Sequence, residues 1–190
     1  ETNKKYISKI QESAKRMSGI IEDLLNYSYQ GTENKFTNTD LNEIVANVIY
    51  DLELLVNQKS ALIQYDNLPV IEAVPSQMHQ LFYNLINNSL KFSKVSEPPR
   101  IFITSRLTEN PAGVLGVSLN LSDNGIGFEP EYADKIFQLF KRLNDKHSYS
   151  GSGIGLALCK KIVNNHNGSI VAEGELNKGA SFDIWLPVKQ

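Results

Sequence analysis

Asn84, Asn88 and Lys91 stand at positions i, i+4 and i+7 of a segment with helical periodicity, so all three share one face. Helix interiors disfavour Asn, whose side chain competes for backbone hydrogen bonds, and two of them beside an apolar face ask for a purpose. An Asn carbonyl oxygen is a neutral hard ligand suited to Mg²⁺, and a Lys ammonium can meet a phosphate as a point charge. The plain alternative is an ordinary polar helix face. A second cluster, Asp123-Asn124-Gly125-Ile126-Gly127, ends a strand of alternating character. Its carboxylate only accepts hydrogen bonds and suits an exocyclic amino group such as that of adenine, with glycines allowing close approach. A simple Asp-Asn-Gly turn is the competing reading. The third cluster, Gly151-Ser152-Gly153-Ile154-Gly155-Leu156, opens a helix, where exposed N–H groups and the helix dipole favour an anion. Its G-x-G-x-G spacing is not the dinucleotide fingerprint. Residues 174–179 have the Walker A spacing but continue Ala180-Ser181 instead of Lys-Ser/Thr.

The elements that must position these clusters follow from the pattern. Residues 1–30 carry Ile7, Ile10, Ala14, Met17, Ile21 and Leu24 in steps of three and four, the seam of a helical bundle that needs a partner helix. Residues 31–36 read as a linker, and 37–190 as a domain. Thr39 or Asp40 can cap a helix with Leu41, Ile44, Val45, Val48, Ile49 and Leu52 on its apolar face. A short strand at 62–65 precedes a long helix over 76–92, with Met78, Leu81, Phe82, Leu85 and Ile86 buried. Strands at 101–103 and 114–121, a helix over 154–165, and strands at 169–173 and 180–187 complete an α/β two-layer sandwich.

Composition narrows the partners. The 19 Lys and Arg nearly balance 21 Asp and Glu, so nucleic acid is not expected. A single cysteine, Cys159, reads as an inert buried thiol in a reducing compartment, and no apolar run approaches membrane-spanning length. The first residue is not Met, and the chain is expected to be a piece of something longer.

In their order and distances the three clusters resemble the histidine kinase catalytic domain of the GHKL ATP-binding superfamily. Residues 76–92 are similar to its Asn box, 123–127 to its first glycine box and 151–156 to its second. Lys178-Gly179-Ala180-Ser181-Phe182 is similar to its last box, and residues 136–142 to its Phe box. The likeness covers residues 37–188. It implies the Bergerat fold, a mixed sheet with three helices on one face, holding ATP and Mg²⁺ beneath a lid at 129–152.

Carried over by position, Asp123 would bind the adenine amino group, with Gly125 in the same loop and Gly127 beside the base. Asn88 would coordinate Mg²⁺, Asn84 would lie near the phosphates and Lys91 would contact them. Gly151, Ser152, Gly153, Gly155 and Leu156 would form the phosphate-side lid hinge and helix start, and Ser181 stands where Thr is usual near the base. Ser89 replaces the usual Ala, and Ser152 the usual Thr. Phe137 and Phe140 would clamp the lid or fill the core.

Residues 1–30 resemble the second helix of a dimerisation and phosphotransfer hairpin. The resemblance therefore implies an upstream phospho-acceptor helix, a response-regulator receiver domain as partner, a homodimer in the full protein and a cytoplasmic kinase core. His79, His147 and His166 lack the acceptor's acidic neighbour, and His166 ends a helix where its charge would suit the dipole. ATPases of the gyrase, mismatch-repair and chaperone type share the fold but are similar to one another in carrying Glu where this chain has Asn84. A nucleotide-free dimerisation module is the remaining alternative.

Overall fold

The computed structural model describes residues 35–143 and 152–190, and before them scattered helical positions between 6 and 25. Ile10, His147 and Gly151 lie outside the described residues. Among the helical positions, Ile7, Met17, Ile21 and Leu24 of the expected seam are exposed.

Strand β5 (Leu115–Asp123) is the middle of the sheet. Its alternation buries Val117, Leu119 and Leu121 and turns Ser118, Asn120 and Ser122 to the other face. It pairs antiparallel with β4 (Arg100–Glu109) on one side and β7 (Gly179–Pro187) on the other. Beyond β7 lies β6 (Ser169–Glu175), also antiparallel, and beyond β4 lies β2 (Leu62–Tyr65), which is parallel. A parallel neighbour needs a crossover connection, and helix α3 (Pro75–Lys91) lies in the chain between β2 and β4.

Helix α3 packs between α1 (Leu41–Asp51) and α4 (Gly155–Asn165), giving the two-layer sandwich with helices on one side of a mixed sheet. It buries Met78, Leu81, Phe82, Leu85, Ile86 and Leu90, each stabilising by roughly 1.5–3 kcal/mol. That burial fixes the rotation of α3, and with it the direction of the asparagine-bearing face. Asp40 is the cap of α1: its Oδ1 accepts the Asn42 N–H at 2.8 Å. The Asn42 side chain and backbone hydrogen bonds hold the Asp40 carboxyl below its ordinary value. Among the described residues no helix is long and apolar enough to cross a membrane.

Two features differ from the sequence reading. The residues that lead into the first helix form a strand, β1 (Thr37–Asp40), which pairs antiparallel with β3 (Val70–Ala73) in a second small sheet. Thr39 is buried there, its hydroxyl donating to the Ala73 carbonyl at 3.1 Å. A short helix α2 (Glu53–Lys59) follows α1 directly.

His166 is buried and neutral instead of charged at a helix end. Its Nε2 accepts the Val74 N–H at 3.1 Å, so the ring proton sits on Nδ1 and is donated to the Ile162 carbonyl at 2.8 Å. The Phe36 ring meets it edge-on at 5.1 Å. Burial pulls the pKa of His166 below its ordinary 6.5, with the Ile162 bond opposing more weakly. The folded state therefore disfavours the imidazolium. The stability this contributes is complete above the unfolded value of about 6.5 and is lost as pH falls through the lowered native value. Thermal melts from pH 7.5 to 5 should show an acid-side decline that shrinks in His166→Gln. An unchanged pH slope in that variant would assign the decline to other groups.

Candidate functional site

Three pieces of backbone converge at one end of the helical layer. The second half of α3 supplies Asn84, Asn88 and Lys91, the end of β5 supplies Asp123, and the first turn of α4 supplies Gly155 and Leu156. Contacts tie them together. The Ile126 N–H donates to the carbonyl of Phe92, just after α3, at 2.9 Å. A Cβ on Gly125 would come within 2.7 Å of that same oxygen, so only glycine lets the loop after β5 lie against the end of α3.

The Asp123 carboxylate is held by three donors. Its Oδ1 accepts the N–H groups of Gly125 at 2.8 Å and Ala180 at 3.3 Å, and its Oδ2 accepts the Ser89 hydroxyl at 2.8 Å. The hairpin between β6 and β7 closes over this loop, with the Asn177 N–H donating to the Ile126 carbonyl at 2.8 Å. Gly127 and Gly179 carry φ of +61° and +121°, and side chains there would overlap the Glu175 and Asp123 carbonyls respectively. Asn124 braces the loop from the far side, its Oδ1 accepting the Arg100 N–H at 2.8 Å.

Asn84 faces the start of α4, its Oδ1 3.5 Å from where a Gly155 Cβ would stand and accepting from Gln80 Nε2 at 3.3 Å. Its Nδ2 is buried without a hydrogen-bond partner, an orphan donor of the kind that a phosphate oxygen would satisfy. Behind it lies Cys159, whose thiol burial pushes up to about 12. The Asn84 side chain opposes that shift.

One turn beyond Asn88, the Lys91 ammonium stands 4.5 Å from the Phe92 ring centroid. Its pKa is lowered, first by burial and then by the charge of Arg142. An anion beside Lys91 would stabilise its ammonium against both effects. These donor types fit a nucleotide: an acceptor for an amine at one end, and an amide N–H with two cations for phosphates at the other. Among the described residues no cluster of His, Cys, Asp and Glu could hold a metal by itself. A Mg²⁺ here would rest on the Asn88 carbonyl oxygen together with phosphate oxygens and water.

Ser152, Gly153, Gly155 and Leu156 lie at the start of α4, and the Gly153 carbonyl accepts the Phe140 N–H at 3.0 Å, joining the described residues on either side of 144–151. Phe137 is core, whereas Phe140 is exposed at φ +62°. Ser181 is not brought to the cluster. Strand alternation counted from buried Phe182 puts it on the outer face of the sheet, paired with Ser122 and Glu173, while Ala180 shares the face of Asp123. Ser89 and Arg142 are functional candidates that the motif reading passed over. The signal for Ser89 was there: Leu81, Leu85 and Ser89 follow at steps of four on the buried stripe, and a buried hydroxyl needs a partner.

Residues 73–190 match the family described as histidine kinase-, DNA gyrase B-, and HSP90-like ATPases. The chain belongs to this ATPase family. Along 96% of its length it is 35% identical to cyanobacterial phytochrome A of Nostoc sp. strain PCC 7120, of which it spans 23%. The histidine kinase ThkA, solved in complex with the response regulator protein TrrA, matches 99% of this chain at 26% identity and a TM-score of 0.73, the match covering 52% of that chain. The full-length ShkA structure in complex with AMPPNP shares the fold, with a TM-score of 0.74 at 22% identity, over 98% of this chain and 39% of that one. The chain thus spans about a quarter of the curated relative and about half or less of these solved chains. Within the ATPase family its kinship runs to sensor histidine kinases.

Proposed function

We propose that this chain is the ATP-binding catalytic part of a sensor histidine kinase, which passes the γ-phosphoryl of ATP to a histidine on a helix outside this domain for relay to a response-regulator aspartate. The observation that carries the reading is the convergence of an acceptor-only Asp123 with the orphan Asn84 amide and the paired cations Lys91 and Arg142. Asp123 would read the adenine amine, and Lys91 and Arg142 would orient and neutralise the phosphates. Mg²⁺, when bound, supplies charge neutralisation on the transferring phosphoryl, and Asn88 would hold it. Asn84 has no basic carboxylate with which to activate water, which supports phosphotransfer over hydrolysis. The exposed stripe at Ile7, Met17, Ile21 and Leu24 supports residues 1–30 as one helix of a dimeric bundle, with 31–36 as linker. ThkA's complex with a response regulator supports a receiver domain as partner. A kinase core facing the cytoplasm is part of the same reading.

Asn88→Ala should lower phosphotransfer to a hairpin supplied on a separate chain by about a hundredfold or more, since even indirect disturbance of a metal ligand costs 10–100-fold. Radiolabel transfer from ATP measures it. Full Mg²⁺-dependent transfer by that variant would remove Asn88 from the metal site, and rapid steady-state ATP hydrolysis would favour an ATPase.

A further inference from the structure

An ionised carboxylate offers about four acceptor directions and no donor. In Asp123 the Gly125 and Ala180 N–H groups fill two on Oδ1, and the Ser89 hydroxyl fills one on Oδ2. Since Asp123 can only accept, Ser89 must donate, and its proton has a fixed direction although hydroxyls ordinarily rotate. A single acceptor direction is left, on Oδ2. Without Ser89 the group would be held at Oδ1 alone, and the broad χ2 torsion of Asp would let Oδ2 pivot. Ser89 is 2% exposed on a helix stripe otherwise filled by Leu81, Leu85 and Leu90, so its oxygen is there for a partner and not for water.

We propose that Ser89 is a positioning residue that locks Asp123 to present one acceptor on Oδ2, sharpening selection for a purine with an amino group at C6 over one with a carbonyl there. An amine completes the last direction, whereas a carbonyl oxygen meets a fixed acceptor and leaves two like groups facing each other. The proposal rests on the nucleotide reading of the site and gives a role there to a position of the Asn box that the motif reading noted only as a substitution for Ala.

The test is calorimetric titration, with Mg²⁺, of the wild type and Ser89→Ala. The probes are a non-hydrolysable ATP analogue, its inosine counterpart and its counterpart lacking any group at C6. A pivoting Oδ2 forfeits part of the amine's hydrogen bond, so Ser89→Ala should weaken the adenine ligand about five- to tenfold, leave the unsubstituted purine within about twofold, and narrow the adenine-to-inosine ratio. Equal weakening of all three ligands, or an unchanged ratio, would show a merely structural hydroxyl and overturn the proposal. If Ser89→Ala folds poorly, Ser89→Cys, a weak donor of similar size, should narrow the ratio partway, and an unaltered ratio there overturns the proposal as well. A folded wild type that binds none of the three overturns the nucleotide reading itself. Wild-type binding with an unaltered variant ratio overturns the role of Ser89 alone.

Discussion

Exchanging Asp123 for asparagine should cost this domain about a hundredfold in affinity for an adenine nucleotide while leaving its melting temperature nearly unchanged. Asparagine keeps the shape and one acceptor oxygen, so the N–H groups of Gly125 and Ala180 keep their partner at Oδ1. The other atom becomes an amide nitrogen, toward which Ser89 can turn a lone pair in place of its proton. The fold survives because the displaced Ser89 proton can turn back to the carbonyl one turn earlier in its helix, so the buried donors and acceptors keep a match. The ligand does not fare so well: two N–H₂ groups now face each other where acceptor met donor. Asp123→Ala is the poorer experiment, because it orphans the Ser89 hydroxyl and two backbone donors at once and confuses folding with binding. Calorimetric titration of Asp123→Asn with the ATP analogue measures the effect. Wild-type affinity in that variant would move the base away from Asp123.

Gly179→Ala should be the most damaging single methyl in the domain. At φ +121° an L side chain is strained, and here the added carbon would also overlap the Asp123 carbonyl oxygen. The strand cannot retreat freely, because Ser181 through Pro187 are in register with β5 and Gly179 itself pairs with Glu175. A destabilisation of about 3 kcal/mol or more follows, a drop of roughly 10 °C for a chain of this size. Gly113→Ala supplies the comparison: its φ is +78°, yet a Cβ there meets nothing within 4 Å. It should cost only the backbone strain, about 1 kcal/mol. Equal melting temperatures for the two variants would mean that the loop after β5 yields to the intruding carbon and is not the rigid seat described for Asp123.

Much of this site was legible because its determinants are local. The spacing of Asn84, Asn88 and Lys91 is a property of one helix, and the alternation that buries Val117, Leu119 and Leu121 while ending at Asp123 is a property of one strand. The cap at Asp40 was readable for the same reason. What escaped depends on contacts between distant segments. Thr37–Asp40 becomes a strand only because Val70–Ala73 lies beside it, with Asn38 opposite Glu72 and Thr39 opposite Ile71, partners far off in sequence. His166 is neutral because the Val74 N–H reaches it across 92 residues of sequence, which helix-end reasoning cannot foresee. Arg142 matters through the field it puts on Lys91, invisible until the chain is folded. Ser181 was misplaced by a single step: a motif match tolerates an offset of one, but a strand turns that offset into the opposite face of the sheet.

The position of β7 between β5 and β6 bears on how the chain is made. Asp123 is synthesised long before Gly179 and Ala180, yet one of its donors is the Ala180 N–H, and β5 has no neighbour on that side until residues 181–187 pair with it. A ribosome-bound chain with its last strand still in the exit tunnel holds β4 and β5 as a hairpin with an open edge and an unfinished carboxylate seat. Capacity for ligand should therefore appear late and abruptly during translation, and a chain stalled before β7 emerges should be a client for chaperones that cover bare strand edges.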